Sequence, residues 1–577
     1  MDILHPIIDS SMEEPTSYKS ELPSFWSLAK TVLAPERRFY VALFLYGIVT
    51  SLFTLAIPIS VQALISSVTN MMMMMPIVIL AMILCGVLLF SALLNSLKIY
   101  IVETMERHIY TRITRDITLR LLYCDPYALA DRNPTTLANR YFEIMNIQKT
   151  LPSLLVRGFS LILQASVGLV LVSLYHPFLF ALNMFTAVYV FVVWRLWCHQ
   201  AKYRATKVSD AKYETARIIS ELTLYNPLFR SQRHTIHACE RVNEASADYV
   251  MKRRKFFRSY FSQHVSFLLL YALGSSTLLG IGGMLVIRAE LTIAQLVAAE
   301  LIMAAIFYNI TRLAYHLNDF YDLFTSCKKM TDFYTLPPHH QEGSLILPEA
   351  DAIRLEMQHV HYHGQTEPII FDFALAAGAN IMARIATHQI EYCLFELIRK
   401  NTHHYKGRIA LGGINLRDLD ARSVEDGVII LDNHHMMECS VRHWLSLSKD
   451  DATHDEMINA LHMVELDTII LNFPEGLDTI IRPSGDPLHF SEMMRLKLAA
   501  ALLARPRMLI INGLFDALHS DVRERIVQRI MGLPFTFLYC SNAQFLDGFD
   551  GYMDITATTQ YYYQSRAEYE AHRHSER

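Results

Sequence analysis

The feature that most limits what this chain can become is a series of six apolar segments before residue 311. The first is Phe39 to Ile65, "FYVALFLYGIVTSLFTLAIPISVQALI", and the second begins at Ile77 and runs past Leu94. The third and fourth, Phe159 to Leu174 and Phe178 to Val193, are parted only by Tyr175-His176-Pro177. The fifth is Val265 to Ile287, and the sixth runs from Ile293 to about Ile310. A helix needs roughly 20 apolar residues to cross a bilayer, and each segment covers most or all of that length. Nothing comparable follows Asp319. A chain of 577 residues is too long for one core. The expected fold is therefore an all-α six-helix membrane domain followed by a soluble domain. Composition agrees, with 52% hydrophobic and 19% charged residues, against roughly 25% charged in ordinary soluble domains.

Charge placement orients the spans. Lys30, Arg37 and Arg38 precede the first, whereas "SSVTNMMMMMP" after it carries no charge. Between spans four and five lie Lys202, Arg204, Lys207, Lys252, Arg253, Arg254 and Lys255. The positive-inside bias puts both termini and the two long inter-span segments in the cytoplasm. The polar and acidic residues ahead of Phe39 do not form a signal peptide. The net charge of −4 gives no reason to expect nucleic acid as a partner. Eight scattered cysteines with no CxxC pair fit free thiols better than a zinc site or a disulfide framework. The run Met71 to Met75 is better read as a flexible apolar membrane edge than as a copper site, since consecutive side chains cannot all face one ion.

From Leu94 to Pro152 apolar residues recur at spacings of three and four, with Arg107, Arg112, Arg115 and Arg120 on the solvated faces. Breaks at Asp125-Pro126 and Asn133-Pro134 mark a turn. Long helices are expected to leave the membrane, turn within "CDPYALADRNPTTLANRY" and return. This pattern, with "LTIAQLVAAELIMAAIFYNITRLAYHL" and "CKKMTDFYTLP", resembles the membrane domain of type I ABC exporters. Downstream, "GRIALGGINLRDLDARSVED" (Gly407 to Asp426) resembles the strand and turn before that family's Q-loop. "NFPEGLDTIIRPSGDPL" (Asn472 to Leu488) resembles the approach to its signature motif, and "LKLAAALLARPRMLII" the signature helix and Walker B strand. The resemblance implies a half-transporter with fused domains, the second an α/β P-loop NTPase-like fold. The expected boundaries are a cytoplasmic N-terminal segment at 1–38, the membrane domain with long cytoplasmic loops at 39–335, a linker at 336–352 and the nucleotide-binding-like domain at 353–577.

The residues that would carry the chemistry depart from the family. A phosphate loop needs glycines for close backbone approach, a lysine for charge and a hydroxyl for Mg²⁺. In "AAGANIMARIATHQIEYCLFELI" Gly378 keeps its turn, but Ile385, His388 and Ile390 stand in place of loop glycines. Glu391 takes the lysine position, with Tyr392 and Cys393 at the hydroxyl positions. Opposing unit charges near 4 Å differ from like charges by several kcal/mol at an effective dielectric of about 20, so this exchange turns attraction into repulsion. Asp432 replaces the Q-loop glutamine, and His489, Phe490, Ser491 and Glu492 replace the signature's hydroxyl, glycines and glutamine. Asn512 stands at the Walker B aspartate, Gly513 at the catalytic glutamate and Asn542 at the switch histidine. These substitutions describe a degenerate ATP site, with no catalytic residue, no metal ligand and no bound ATP or Mg²⁺ expected.

Other features resolve into bland or sharp readings. The doublets His339-His340, His403-His404 and His434-His435 are poor ligand pairs, because adjacent side chains point apart. His361 and His363 flank Tyr362, which falls where the family stacks adenine. Glu300, inside the sixth span, either lines a substrate pathway or else snorkels or pairs with another helix, since charge within a span is costly. Two functions fit. One is an exporter subunit with a pseudo-ATPase domain, dimeric with itself or with an active half-transporter, in a bacterial inner (plasma) membrane with cytoplasmic termini. The other is a non-transporting membrane scaffold or regulator derived from such an exporter. An active ATPase with unusual residues is the remaining reading.

Overall fold

The computed structural model describes residues 41, 45–49, 52–53, 56–70, 74–132, 134–338, 343–363, 368–402, 404–543 and 546–576. The N-terminal segment 1–38, Met71 to Met73, Asn133, His339, His340 and His403 lie outside them, as does part of the first apolar segment. The chain divides into two compact units between Pro338 and His339.

The first unit is helical. Among the described residues five helical stretches are long and apolar enough to cross a membrane, beginning at Ile77, Thr135, Pro177, Gln232 and Ile293, and the shorter apolar helix Ala56–Asn70 precedes them. The chain is thus an integral membrane protein. The helices overrun the apolar segments: Met74–Leu122 has 49 residues, Pro177–Leu224 has 48, Gln232–Ile287 has 56 and Ile293–Tyr334 has 42. Their starts follow local rules. His176 caps one with Pro177 at the first helical position, Ser231 caps another, and Thr292 with Gln295 forms a capping box. The turn after Leu122 carries the short helices Pro126–Asp131 and Pro134–Arg140, each opened by a proline. Glu143–Ser153 then leads through a π-helical turn, Leu154–Gly158, into Phe159–Ser173. Pro152, which has no amide to donate, sits at that irregularity.

Two kinds of surface distinguish the extramembrane and membrane parts of these helices. Met105, Ile109, Ile113 and Ile117 recur every four residues and are buried against Ile144, Ile147, Leu151, Leu323, Met330 and Phe333. That is the core of a soluble helical bundle. Toward the start of the same helix Met82, Ile83, Leu89 and Leu93 are each about 60% exposed or more, an apolar surface meant for lipid or a partner helix. Small residues allow close helix packing in the membrane. At Gly274 a Cβ would stand 2.3 Å from the Phe307 ring.

The second unit is α/β. Its main sheet has the order β12-β11-β3-β10-β9-β6, formed by β3 (Asn380–Ile385), β6 (Val428–Leu431), β9 (Met508–Ile511), β10 (Thr536–Cys540), β11 (Gly551–Ile555) and β12 (Gln560–Tyr563). All pairings are parallel except β11 with β12. The unbroken apolar run of β9 and the fully buried β10 are what a doubly covered parallel sheet demands. A second, antiparallel sheet, β2-β1-β4-β5, comprises β1 (Leu355–His363), β2 (Pro368–Leu375), β4 (Tyr405–Leu411) and β5 (Ile414–Asn415). A small ladder joins β7 (Cys439–Ser440) to β8 (Ile480–Ile481) beside the helices of a largely α subdomain.

Candidate functional site

In open parallel sheets ligands bind beyond the carboxyl ends of the strands. The structure brings Glu391, Asp432, Asn512, Gly513 and Asn542 to that edge, following β3, β6, β9 and β10. At the phosphate-loop counterpart only Ala386 and Thr387 separate β3 from the helix His388–Ile398. Thr387 caps that helix through its side chain to the Ile390 amide, and its carbonyl accepts from the amides of Ile390 (3.1 Å) and Glu391 (3.2 Å). The Ala386 amide donates to Ile555 at 2.9 Å. The amides of Ala386, Ile390 and Glu391 are thus engaged within the unit. Gly378, at φ +75°, makes the turn into β3, and its amide donates to Thr536.

Glu391 occupies the mouth of this turn. Its carboxylate meets His388 Nδ1 at 2.9 Å and lies near the Gly513 backbone N–H at the end of β9. Burial pushes its carboxyl up from the ordinary value, and His388 and the Gly513 amide only partly counter this. Tyr392 is exposed, while Cys393 is buried in the core that includes Ile385 and Ile390, with Tyr362 packed against it. Burial pushes the Cys393 thiol up.

Asp432 forms a bidentate pair with Arg399, at 2.6 and 2.7 Å. Burial works against the guanidinium's charge, but Asp432 outweighs it and Arg399 holds its proton more firmly than usual. Asn512 is buried; its Oδ1 accepts the Leu514 amide at 3.1 Å and its Nδ2 donates to the Asp432 carbonyl at 3.4 Å. Gly513 opens the 3-10 turn Gly513–Ala517. Within that turn Asp516 accepts from Arg523, Tyr539 OH (2.7 Å), Ser541 Oγ (2.8 Å) and the amides of Asn542 and Ala543. The exposed Asn542 is therefore held by its backbone.

The signature counterpart starts the helix Phe490–Leu503, where Glu492 Oε2 accepts the His489 amide at 2.8 Å. The Phe490 ring lies 6.1 Å from His434, whose ring is 4.5 Å from that of His435, so in this doublet the adjacent side chains come together and do not point apart as expected. Further along, Lys497 donates to the Asn433 carbonyl (3.0 Å) and side chain (2.8 Å), and burial pushes its ammonium down.

Sequence reasoning named Glu391, Asp432, Asn512, Gly513 and Asn542 at this edge but not Thr387, Arg399, Lys497 and Asp516. Only Thr387 carried a local signal, a cap residue ahead of an apolar helix. In the first unit Glu300 lies on Ile293–Tyr334, and its Oε2 has no hydrogen-bond partner among the described residues. At 100° per residue it sits about half a turn round the helix from Asn309. Among the described residues no group of three or more His, Cys, Asp or Glu is placed to hold a metal ion.

No family model matches the chain. Similar curated proteins include the cyclolysin secretion/processing ATP-binding protein CyaB of Bordetella pertussis, 26% identical over 275 residues, which are 45% of this chain and 37% of that protein. The putative multidrug export ATP-binding/permease protein YgaD of Bacillus subtilis is 28% identical over 190 residues, 32% of this chain and 33% of that one. The fatty acid ABC transporter ATP-binding/permease protein of Mycobacterium tuberculosis is 22% identical over 254 residues, 43% and 40% of the two chains. The matched region thus spans only about a third to two fifths of these relatives. Among solved structures, a bacterial Atm1-family ABC exporter with ATP bound superposes with a TM-score of 0.79 at 15% identity, over 93% of this chain and 96% of that one. The fold is that of an ABC exporter, a helical membrane unit followed by an α/β unit.

Proposed function

We propose that the chain is a half-transporter of an ABC-type exporter whose own nucleotide-binding unit is a pseudo-ATPase, and that it works as a dimer, with a second half-transporter supplying any ATP hydrolysis. The bacterial inner membrane, with both termini cytoplasmic, is the setting that the charge placement supports. The single observation that carries the reading is the closed strand-to-helix turn. Thr387 holds the amides of Ile390 and Glu391, and Glu391 puts a carboxylate at the lysine position, bonded to His388 and near the Gly513 amide. The residues present do not fit a magnesium nucleotide. A triphosphate would meet the Glu391 carboxylate where a lysine would stand, Asp432 is already paired with Arg399, and Asn512 and Gly513 bring no charge to a cation.

The test is calorimetric titration of Mg-ATP into the purified full-length chain. No measurable heat of binding is expected. A micromolar dissociation constant, about −8 kcal/mol, would overturn the reading.

A second reading, a non-transporting scaffold or regulator, draws on a separate observation. His489, Phe490, Ser491 and Glu492 alter the signature counterpart as well, and Glu492 is engaged in capping its own helix. A partner with an intact phosphate loop would then face an impaired signature here. Recovery of an intact half-transporter with this chain, with vesicle transport that requires both, favours export. Recovery of other membrane proteins without transport favours the scaffold.

A further inference from the structure

In the first unit, where the apolar stretches give way to the charged parts of the helices, lies a cavity of about 270 Å³ lined by Lys98, Ser160, Leu161, Arg312 and His316. Three of the five lining side chains are basic or can become so, and none is acidic. Lys98 stands four residues beyond Leu94, and its Nζ donates to Ser160 Oγ at 2.8 Å. Arg312 spreads its guanidinium 5.6 Å from the Tyr308 ring centroid. About one turn from Ser160 and Arg312 on the same two helices, Asn309 donates to Gln164 at 3.2 Å. Ser160 and Gln164 are four apart on one helix, Asn309 and Arg312 three apart on another, so each pair shares a face. Asp319, whose carboxylate lies 3.8 Å from His316 Nδ1, is not part of the wall.

Gathered cations beside a low-dielectric wall repel one another and concentrate anions. Charges at this depth usually mark a partner or a pathway. The volume decides what part of a ligand enters. It falls just short of the roughly 300 Å³ at which drug-sized pockets begin, so it suits a phosphate or carboxylate head and not a whole amphiphile. Leu93, Leu97 and Ile99, exposed on the helix that carries Lys98, offer an apolar surface for a tail.

We propose that the Lys98–Arg312–His316 cavity binds the anionic head group of an amphiphile, held by Lys98 and Arg312, with its chain lying along the apolar helices. The amphiphile is either an anionic phospholipid of the bilayer or a transported acidic amphiphile. Nothing in this depends on whether the second unit binds nucleotide.

The test uses the full chain in an uncharged maltoside detergent, with thermal unfolding followed by tryptophan fluorescence. Dodecyl phosphate should raise the midpoint, and dodecylphosphocholine, whose phosphate charge is neutralised, should not. In the double variant Lys98→Gln/Arg312→Gln the same shift should require about tenfold more dodecyl phosphate. Lys98→Arg/Arg312→Lys should behave as wild type. If the double variant does not fold, Lys98→Gln is compared with Lys98→Arg. Equal shifts in wild type and the charge-removing variant would overturn the proposal. Native mass spectrometry then separates the sources. A phospholipid retained by wild type and lost from the variant identifies the bilayer lipid. A shift with dodecyl phosphate and no retained lipid identifies the acidic amphiphile.

Discussion

At the scale of single residues, Glu391 and Asp516 show how a strand edge can be closed from within. Glu391 holds His388 at the helix start, and Asp516 gathers five donors around the end of β10. Restoring a lysine with Glu391→Lys should not create ATP binding, because Thr387 still holds the amides and Ile390 remains buried in the turn. Calorimetry on that variant should stay flat, and micromolar binding would show that the lysine alone was missing. Asp516→Ala should cost about 3 kcal/mol, since it strands buried donors, including the nearly buried Arg523. Faster hydrogen exchange from Tyr539 to Ala543 is the expected readout, and unchanged exchange there would sink the idea. The sequence named Glu391, Asp432, Asn512, Gly513 and Asn542, which lie together at the carboxyl edge of the main sheet. Side-chain partners were not legible: Arg399 meets Asp432 across 33 residues and Lys497 meets Asn433 across 64. Such pairs leave no periodic trace.

At the scale of elements, helix type and order were legible while helix length was not. Hydropathy marks only the apolar part, so Val265 to Ile287 stood out within a helix that begins at Gln232. The polar extensions are held by side-chain ties as much as by the Ile109 stripe. Buried Glu143 accepts from Lys212 (2.5 Å), Tyr213 (2.5 Å) and Ser326, joining Glu143–Ser153 to Pro177–Leu224 and Ile293–Tyr334. Burial opposes the Glu143 charge, but the three donors outweigh it and leave the carboxyl below its ordinary value. The tie is therefore fully present above the unfolded carboxyl value, about 4.3, and is lost as pH falls through the lower folded value. The thermal midpoint of Glu143→Gln should lie well below wild type at neutral pH, and the gap should narrow as pH drops below about 4.5. A gap independent of pH would show that the charge of Glu143 does not matter.

At the scale of the whole molecule, the two-part architecture followed from the change in composition near residue 319, and the ABC-exporter fold from motif order. What the sequence left open was how the apolar surface of the membrane helices is covered, since lipid and a partner helix select the same side chains. On the dimer reading, crosslinking in native membranes should trap a second copy or a homologous half with an intact phosphate loop. A chain that stays monomeric there would remove that reading. The closed turn at Thr387 also bears on how long the protein lasts in a cell. Ligand-binding domains are protected by mass action when their ligand is plentiful, so their turnover quickens when it runs short. On the pseudo-ATPase reading this unit is deaf to that signal, and its half-life should stay constant through starvation while those of nucleotide-dependent relatives fall.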